Sequence, residues 1–341
     1  MDFLCPIPYF GTSMPYASIL ITGGTGSFGV AFTRFALLHG LTDRLVIYSR
    51  DELKQFEMRA TFQDDRRIRW FLGDVRDKDR LRRACQGVEA AIHAAALKHV
   101  DALEYNPGEA VKTNILGTTN LIEAATDAGV RRVIALSTDK ACGPVNAYGA
   151  SKLMVERLMA AAHTARGRSG PIFAATRYGN VAGSRGSVIP RWLEAINLGQ
   201  PLHLTDPAMT RFWMTLDEAV TLVAWTLAHA NGGELVVPSL PAYQLGDLAV
   251  AVGPKAQGWE EFEPRIVRTG LRAGEKMHES MISPDEAPLF EAEGQYFIRR
   301  ETPPSRGLEA PITSDRAPRL SVGELAALVK RIPTHEAPAD R

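Results

Sequence analysis

Ser137-Thr138-Asp139-Lys140, followed by Tyr148 and Lys152, places a carboxyl group, two amines and a phenol within one short segment. Tyr148 and Lys152 have the spacing that puts both side chains on one face of a helix. There an ammonium lowers a phenol's pKa and lets the phenol accept a hydroxyl proton as hydride leaves. Simple alcohol oxidation has no need for the Asp139-Lys140 pair, which adds an acid and a potential base. An isolated Tyr-x-x-x-Lys is a weak signal, because such pairs arise by chance on amphipathic helices. It gains weight from the apolar run Arg132–Leu136, which reads as a strand delivering Thr138, Asp139 and Lys140 at its carboxyl end, where open parallel sheets hold their ligands.

The elements that position these groups begin near the N-terminus. Ser18–Thr22 is a short apolar run, Gly23 to Gly29 is glycine-rich, and Phe32, Phe35 and Leu38 continue with a helical period. Strand, glycine turn and helix bring backbone N–H groups of Gly23, Thr25, Gly26, Ser27, Phe28 and Gly29 toward a pyrophosphate at the helix N-terminus. The second strand, Arg44–Ser49, ends with Ser49 where an acid that reads ribose hydroxyls would stand. Arg50 offers paired hydrogen bonds to a 2′-phosphate and Lys54 adds charge one turn later, which favours NADP. Asp51 is an alternative ribose ligand, and Arg50 has an alternative reading as a solvated charge. Asp74 and Val75 end a third strand and would meet adenine. Ala94, Ala95 and Ala96 are small enough for a flat cofactor to approach, and Lys98 reaches ribose or a substrate phosphate. His93, inside an apolar strand, reads as a hydrogen-bonded core histidine. Asn114 reads either as a holder of water or backbone near the site or as an ordinary helix residue.

Thr22–Gly29, Tyr48–Lys54, Gly73–Asp77, His93–Val100, Ser137–Lys140 and Tyr148–Lys152 together resemble the extended short-chain dehydrogenase/reductases. More narrowly, they resemble the inverting UDP-N-acetylglucosamine 4,6-dehydratases that open pseudaminic acid biosynthesis. Thr176–Val181, Met209–Trp213 and Arg272–Glu279 extend the likeness across most of residues 18–325. The resemblance implies Thr138, Asp139, Lys140, Tyr148 and Lys152 as catalytic residues and Val181 at the cofactor. It also implies Lys98, Asn180, Arg211, Arg272 and Glu275 against a UDP-sugar. The implied chemistry oxidises C4 first, because the C5 hydrogen is not acidic until C4 is a ketone. Lys140 then takes the C5 proton if its pKa is depressed by Lys152 and nicotinamide. Asp139, if burial raises its pKa, protonates the departing C6 hydroxyl, and Thr138 holds the C4 oxygen. C5 is reprotonated from the opposite face. Cys142-Gly143 departs from the small-Asn pair more usual in this family. The alternatives are a 4-epimerase or a retaining dehydratase of the same superfamily, and a non-catalytic NADP-binding regulator.

The rest of the chain agrees with a soluble enzyme. Its 341 residues carry zero formal net charge, with 45% hydrophobic and 23% charged residues, which gives no electrostatic case for nucleic acid. No apolar run is long enough to span a bilayer. Cys5, Cys85 and Cys142 lack metal-ligand spacing, and an odd count with no secretory signal points to reduced thiols in the cytoplasm. The expected fold class is α/β, a doubly wound parallel (Rossmann) sheet with a smaller, mostly C-terminal substrate lobe. The large domain is expected over 18–181 plus about 212–240, with Gly233–Pro238 returning to the main sheet, and the lobe over about 182–211 plus 241–330. Residues 1–17 and 331–341 read as loose tails. The family resemblance implies a homo-oligomer.

Overall fold

The computed structural model describes residues 16–184, 186–257 and 264–332. The chain divides into two compact units, the first comprising 1–178, 217–239 and 281–311 and the second 179–216, 240–280 and 312–341.

The first unit is built on strands β1 (Ser18–Thr22), β2 (Arg44–Ser49), β3 (Ile68–Leu72), β4 (Ala90–His93), β5 (Arg132–Leu136) and β6 (Ile172–Thr176). They alternate with helices α1 (Ser27–Leu38), α2 (Glu52–Thr61), α3 (Lys78–Cys85), α4 (Val100–Tyr105), α5 (Pro107–Ala110), α6 (Gly117–Asp127) and α7 (Ala147–Ala165). A six-residue π-helical turn, Val111–Leu116, joins α5 to α6. The parallel strands run in the order β6-β5-β4-β1-β2-β3. The chain therefore reverses direction of growth between β1 and β4, the place where doubly wound sheets open a crevice at their carboxyl ends.

Both faces of the sheet are covered, which explains why its strands read as unbroken apolar runs. Ile19, Ile21, Leu45 and Ile47 pack on one face with Phe32 and Ala36 of α1 and with Val223 and Leu227. Leu20, Val46 and Tyr48 point to the other, against Leu81 of α3, Leu121 of α6 and Val155 and Met159 of α7. Alternation along each strand thus feeds two cores.

Leu235–Pro238 joins the sheet parallel to β6, as its apolar sequence leads one to expect. Beyond it lies an antiparallel hairpin, Phe290–Glu293 with Tyr296–Arg299. Residues 281–311 therefore pack with the large sheet instead of with the smaller lobe, because the hairpin's backbone completes the edge that Leu235–Pro238 would otherwise leave bare. Residues 179–181 and 212–216 fall in the second unit instead of the first. Tyr16 and Ala17 are also anchored, unlike a loose tail: Tyr16 is buried with its hydroxyl donating to the Leu227 carbonyl at 3.1 Å, and the Ala17 N–H donates to Glu89 at 2.9 Å. Residues 1–15, with Cys5, and the tail from 333 lie outside the described residues.

In the second unit, Ile189, Trp192 and Ile196 pack with Leu248 and Val252 and with Leu325 and Val329. The helix Val322–Arg331 starts at a reciprocal Ser321–Glu324 cap, which satisfies two of its free N–H groups. It runs through Arg331, where the sequence suggested fraying. No helix among the described residues is long and apolar enough to cross a membrane.

Candidate active site

β5 delivers its last residues into a loop fastened to the extension of β6. The Ser137 N–H donates to the Thr176 carbonyl at 2.6 Å and the Asp139 N–H to the Tyr178 carbonyl at 3.0 Å. The Thr138 hydroxyl donates to Asp139 Oδ1 at 2.9 Å, and Lys140 Nζ donates to the same oxygen at 3.0 Å. Asp139 is fully buried, and its Oδ2 has no hydrogen-bond partner. A buried carboxylate oxygen without a donor is costly unless something else supplies the missing bond.

α7 brings the second half of the set. Asn146 caps it by accepting from the Gly149 N–H at 2.7 Å. Gly149 lies so close to the loop that a Cβ there would collide with the Lys140 carbonyl oxygen; glycine at this position is what lets the helix approach. Tyr148 has its phenol pKa raised above the usual value. Burial is the main cause, with Lys140 pulling the value down, Asp139 pushing it up and the neighbouring Thr138 hydroxyl lowering it. The sequence expectation had Lys152 lowering this phenol. In the folded chain burial outweighs the opposing charge, and the cation that lowers the value is Lys140. Lys152 is itself buried, which depresses its ammonium to about 8 against the opposing pull of Glu156.

A buried ionic network supports the loop, and it has no local sequence signature. Arg177, fully buried, donates to Glu156 Oε1 and Oε2 at 2.9 and 2.6 Å. It also donates to Glu286 Oε2 and Oε1 at 2.8 and 2.9 Å and to the Met281 carbonyl at 2.8 Å. Burial works to raise the Glu286 pKa, but the bond and charge of Arg177 hold it at about 2. The same carboxylates grip both flanks of the catalytic run: Ser137 donates to Glu156 at 2.6 Å and the Cys142 thiol to Glu286 at 3.3 Å. The unusual Cys142 thus ties the loop to the segment that carries Glu286. Arg177 stands within Thr176–Val181, a run noted in the sequence only for its family likeness; Glu286 became relevant only through folding.

At the carboxyl ends of β1 and β2, the loop from Gly23 leads into α1 with Gly26 at the N-cap, exposed and bringing no side chain. A Cβ on Gly29 would collide with the Gly24 carbonyl, so the turn closes tightly only with glycine. Thr25 Oγ1 and Ser49 Oγ lie 2.7 Å apart, tying the loop to β2. Arg50, half exposed, is 3.4 Å from Asp74. Asp51 caps α2 through the Lys54 N–H at 3.0 Å and pairs with Lys54 Nζ at 2.6 Å. Asp74 also accepts from Arg76 at 2.8 Å, and buried Val75 packs against Gly117. The part-buried strip Ala94–Ala96 follows β4, and exposed Lys98 succeeds it. Asn114, in the π turn, clasps the Leu97 backbone, accepting its N–H at 2.8 Å and donating to its carbonyl at 3.0 Å. Exposed backbone at a helix N-terminus, a tight glycine turn and small residues on the next strand fit the pyrophosphate and rings of a dinucleotide.

In the second unit, Arg272 and Glu275 pair at 2.6 Å, with Thr205 donating to Glu275 at 3.3 Å. Arg211 donates to the Thr210 carbonyl at 2.7 Å and to the Met277 carbonyl at 3.2 Å. The structure therefore gathers Arg211 with the 272–279 segment. Asn180 is exposed, and Val181 forms a bridge with Met214.

A family profile described as polysaccharide biosynthesis protein matches residues 19–301. The chain belongs to this family. The UDP-N-acetylglucosamine 4,6-dehydratase (inverting) of Campylobacter jejuni is 48% identical over 283 residues, 82% of each chain. A UDP-glucose 4-epimerase of Rickettsia bellii is 42% identical over 283 residues, again 82% of each. Among solved structures, Pen from Bacillus thuringiensis superposes with a TM-score of 0.86 at 37% identity, covering 92% of this chain and 98% of that one. DesIV, a dTDP-glucose 4,6-dehydratase from Streptomyces venezuelae with NAD and TYD bound, gives 0.68 at 26% identity over 76% and 86%. The fold of this family member is that of the extended short-chain dehydrogenase/reductases.

Proposed function

We propose that the protein is an NADP-dependent, configuration-inverting UDP-N-acetylglucosamine 4,6-dehydratase acting in surface-glycan synthesis of the pseudaminic acid type. The observation that carries this reading is the Asp139–Lys140 pair, 3.0 Å apart, with the Thr138 hydroxyl donating to the same Asp139 oxygen at 2.9 Å. The relative that is named an inverting dehydratase supports it, at higher identity than the relative named an epimerase.

Bound nicotinamide supplies a hydride acceptor for C4 and a donor for C6. Thr138 fixes the C4 oxygen, and Tyr148 takes its proton, with Lys152 and Lys140 favouring the phenolate. Lys140 then removes the C5 proton and Asp139 protonates the leaving C6 hydroxyl. The two roles need Lys140 neutral and Asp139 protonated. A proton handed from Lys140 to Asp139 across their 3.0 Å contact supplies both forms at once with no change in net charge. C5 is then reprotonated on its opposite face by a solvent-derived proton. In the second unit, Asn180 and Arg211 bind the diphosphate, and Arg272 and Glu275 hold the uridine and its ribose. Arg50 and Lys54 read the 2′-phosphate; Arg50 stands beside Asp74 at the end of β2, where a planar donor reaches such a group.

Incubation with UDP-N-acetylglucosamine and no added reductant tests the reading. Dehydration removes the mass of one water, and in deuterated water the product carries deuterium at an inverted C5. An isomer of unchanged mass would establish the epimerase, and retained C5 configuration would establish the retaining dehydratase.

A further inference from the structure

His93 joins two parts of the first unit that the chemistry must hold in register. It is buried at the end of β4, beside Thr22 of β1 in the sheet register. Its Nδ1 is 2.7 Å from Thr22 Oγ1 and its Nε2 is 3.0 Å from Thr118 Oγ1. Counting hydrogens assigns the ring. The Asn114 carbonyl can only accept, so the single Thr118 hydroxyl hydrogen is spent on it, at 2.6 Å. Thr118 Oγ1 must then accept from His93, which places the proton on Nε2. A neutral ring leaves Nδ1 bare, and Thr22 donates to it while accepting from the Ala95 N–H at 3.3 Å.

The line continues without a break. The Asn114 side chain clasps Leu97 and donates to Ser151 Oγ at 2.9 Å, and Ser151 donates to the Tyr148 carbonyl at 2.7 Å. Thr22, His93, Thr118, Asn114 and Ser151 are all buried, so each bond is sheltered from competing water. The Asn114 carbonyl lies in the π turn, where the regular helical ladder is interrupted, and the Thr118 hydroxyl reaches it from one turn on.

We infer that His93 is a positioning residue: held as the neutral Nε2–H tautomer, it couples the Ala95–Leu97 strip at the end of β4 to the turn of α7 that carries Tyr148. Burial, aided by the charge of Lys152, depresses the ring pKa to about 3, in keeping with a ring that stays neutral. The kinetic consequence rests on the dehydratase reading; the tautomer does not.

The test uses the full-length protein with its cofactor. In nitrogen-15 NMR of histidine-labelled protein, the resonance that Thr118→Val displaces should show a protonated Nε2 and a bare Nδ1, unchanged from about pH 5 to about pH 9. An Nδ1–H tautomer, or a ring that titrates in that range, overturns the inference. The second arm contrasts Thr118→Val, which keeps shape and loses the hydroxyl, with Thr118→Ser, which keeps the hydroxyl. Thr118→Val should lower kcat about tenfold with KM for the sugar nucleotide and cofactor affinity within about twofold, while Thr118→Ser stays within about twofold of the wild type in kcat. Equal kcat for the two variants overturns the inference. If the wild type does not dehydrate UDP-N-acetylglucosamine, the functional proposal fails and the NMR result alone decides the tautomer.

Discussion

Lys152→Met should make the unliganded protein more stable while abolishing turnover. Lys152 is only 4% exposed on α7, and burial takes its pKa from 10.5 to about 8. A fall of that size corresponds to about 3 kcal/mol of unfavourable free energy for keeping the ammonium charged in the folded chain. Methionine has a similar unbranched stem with no charge to desolvate, so the variant should be more stable by about 2–3 kcal/mol at neutral pH. The sign of the pH dependence follows from proton counting. Between pH 8 and 10.5 the unfolded chain holds the Lys152 proton and the folded chain has released it, so wild-type stability rises with pH through that window. The advantage of Lys152→Met should therefore shrink as pH climbs from about 8 to about 10. Urea unfolding of both apoproteins across that range measures the difference, in which tyrosine ionisations common to the two proteins cancel. A less stable Lys152→Met, or a difference that ignores pH, would refute the claim that burial of this charge opposes folding. Loss of dehydration by about a hundredfold or more should accompany the stabilisation.

Tyr148→Phe should stop reaction before C4 oxidation, whereas Lys140→Ala should accumulate 4-keto sugar and lose water release by about a hundredfold or more, as single-turnover product analysis will show; near-normal dehydration by Lys140→Ala removes it as the C5 base. Glu286→Gln should cost about 3 kcal/mol near neutral pH, because Arg177 holds the native carboxyl at about 2 against an ordinary 4.5. A depressed carboxyl contributes its stability above 4.5 and loses it as pH falls toward 2, so denaturation midpoints of the two proteins should converge on acidification; a gap that stays constant contradicts the pairing. Arg50→Asp should weaken NADP by about tenfold or more while changing NAD much less. Titration showing equal loss of both would take Arg50 away from the 2′-phosphate.

The six leading parallel strands were legible because burial on both faces demands continuous apolar segments, and glycine turns separate those segments from their helices. The hairpin Phe290–Glu293 with Tyr296–Arg299 was hidden: only its pairing with Leu235–Pro238, far away in sequence, decides that it belongs to the large sheet. Tyr16 and Ala17 looked like tail for the same reason, since their anchors, Leu227 and Glu89, are remote.

By itself the sequence determined the residue types available for chemistry. A glycine turn can approach a pyrophosphate, and Thr138, Asp139, Lys140, Tyr148 and Lys152 supply an acid, bases and a phenol at local spacings that a strand end and one helix face enforce. Tertiary structure alone decided how those groups are charged and held. Burial raises Tyr148 and lowers Lys152 because desolvation depends on everything packed around a side chain. Arg177 meets Glu286 only because folding brings the 281–311 segment into the same unit as the end of β6. His93 acquires one tautomer because Thr22 and Thr118, from different elements, spend their single hydroxyl hydrogens in fixed directions. Hydrogen-bond direction and desolvation are properties of a neighbourhood, and a linear pattern does not contain them.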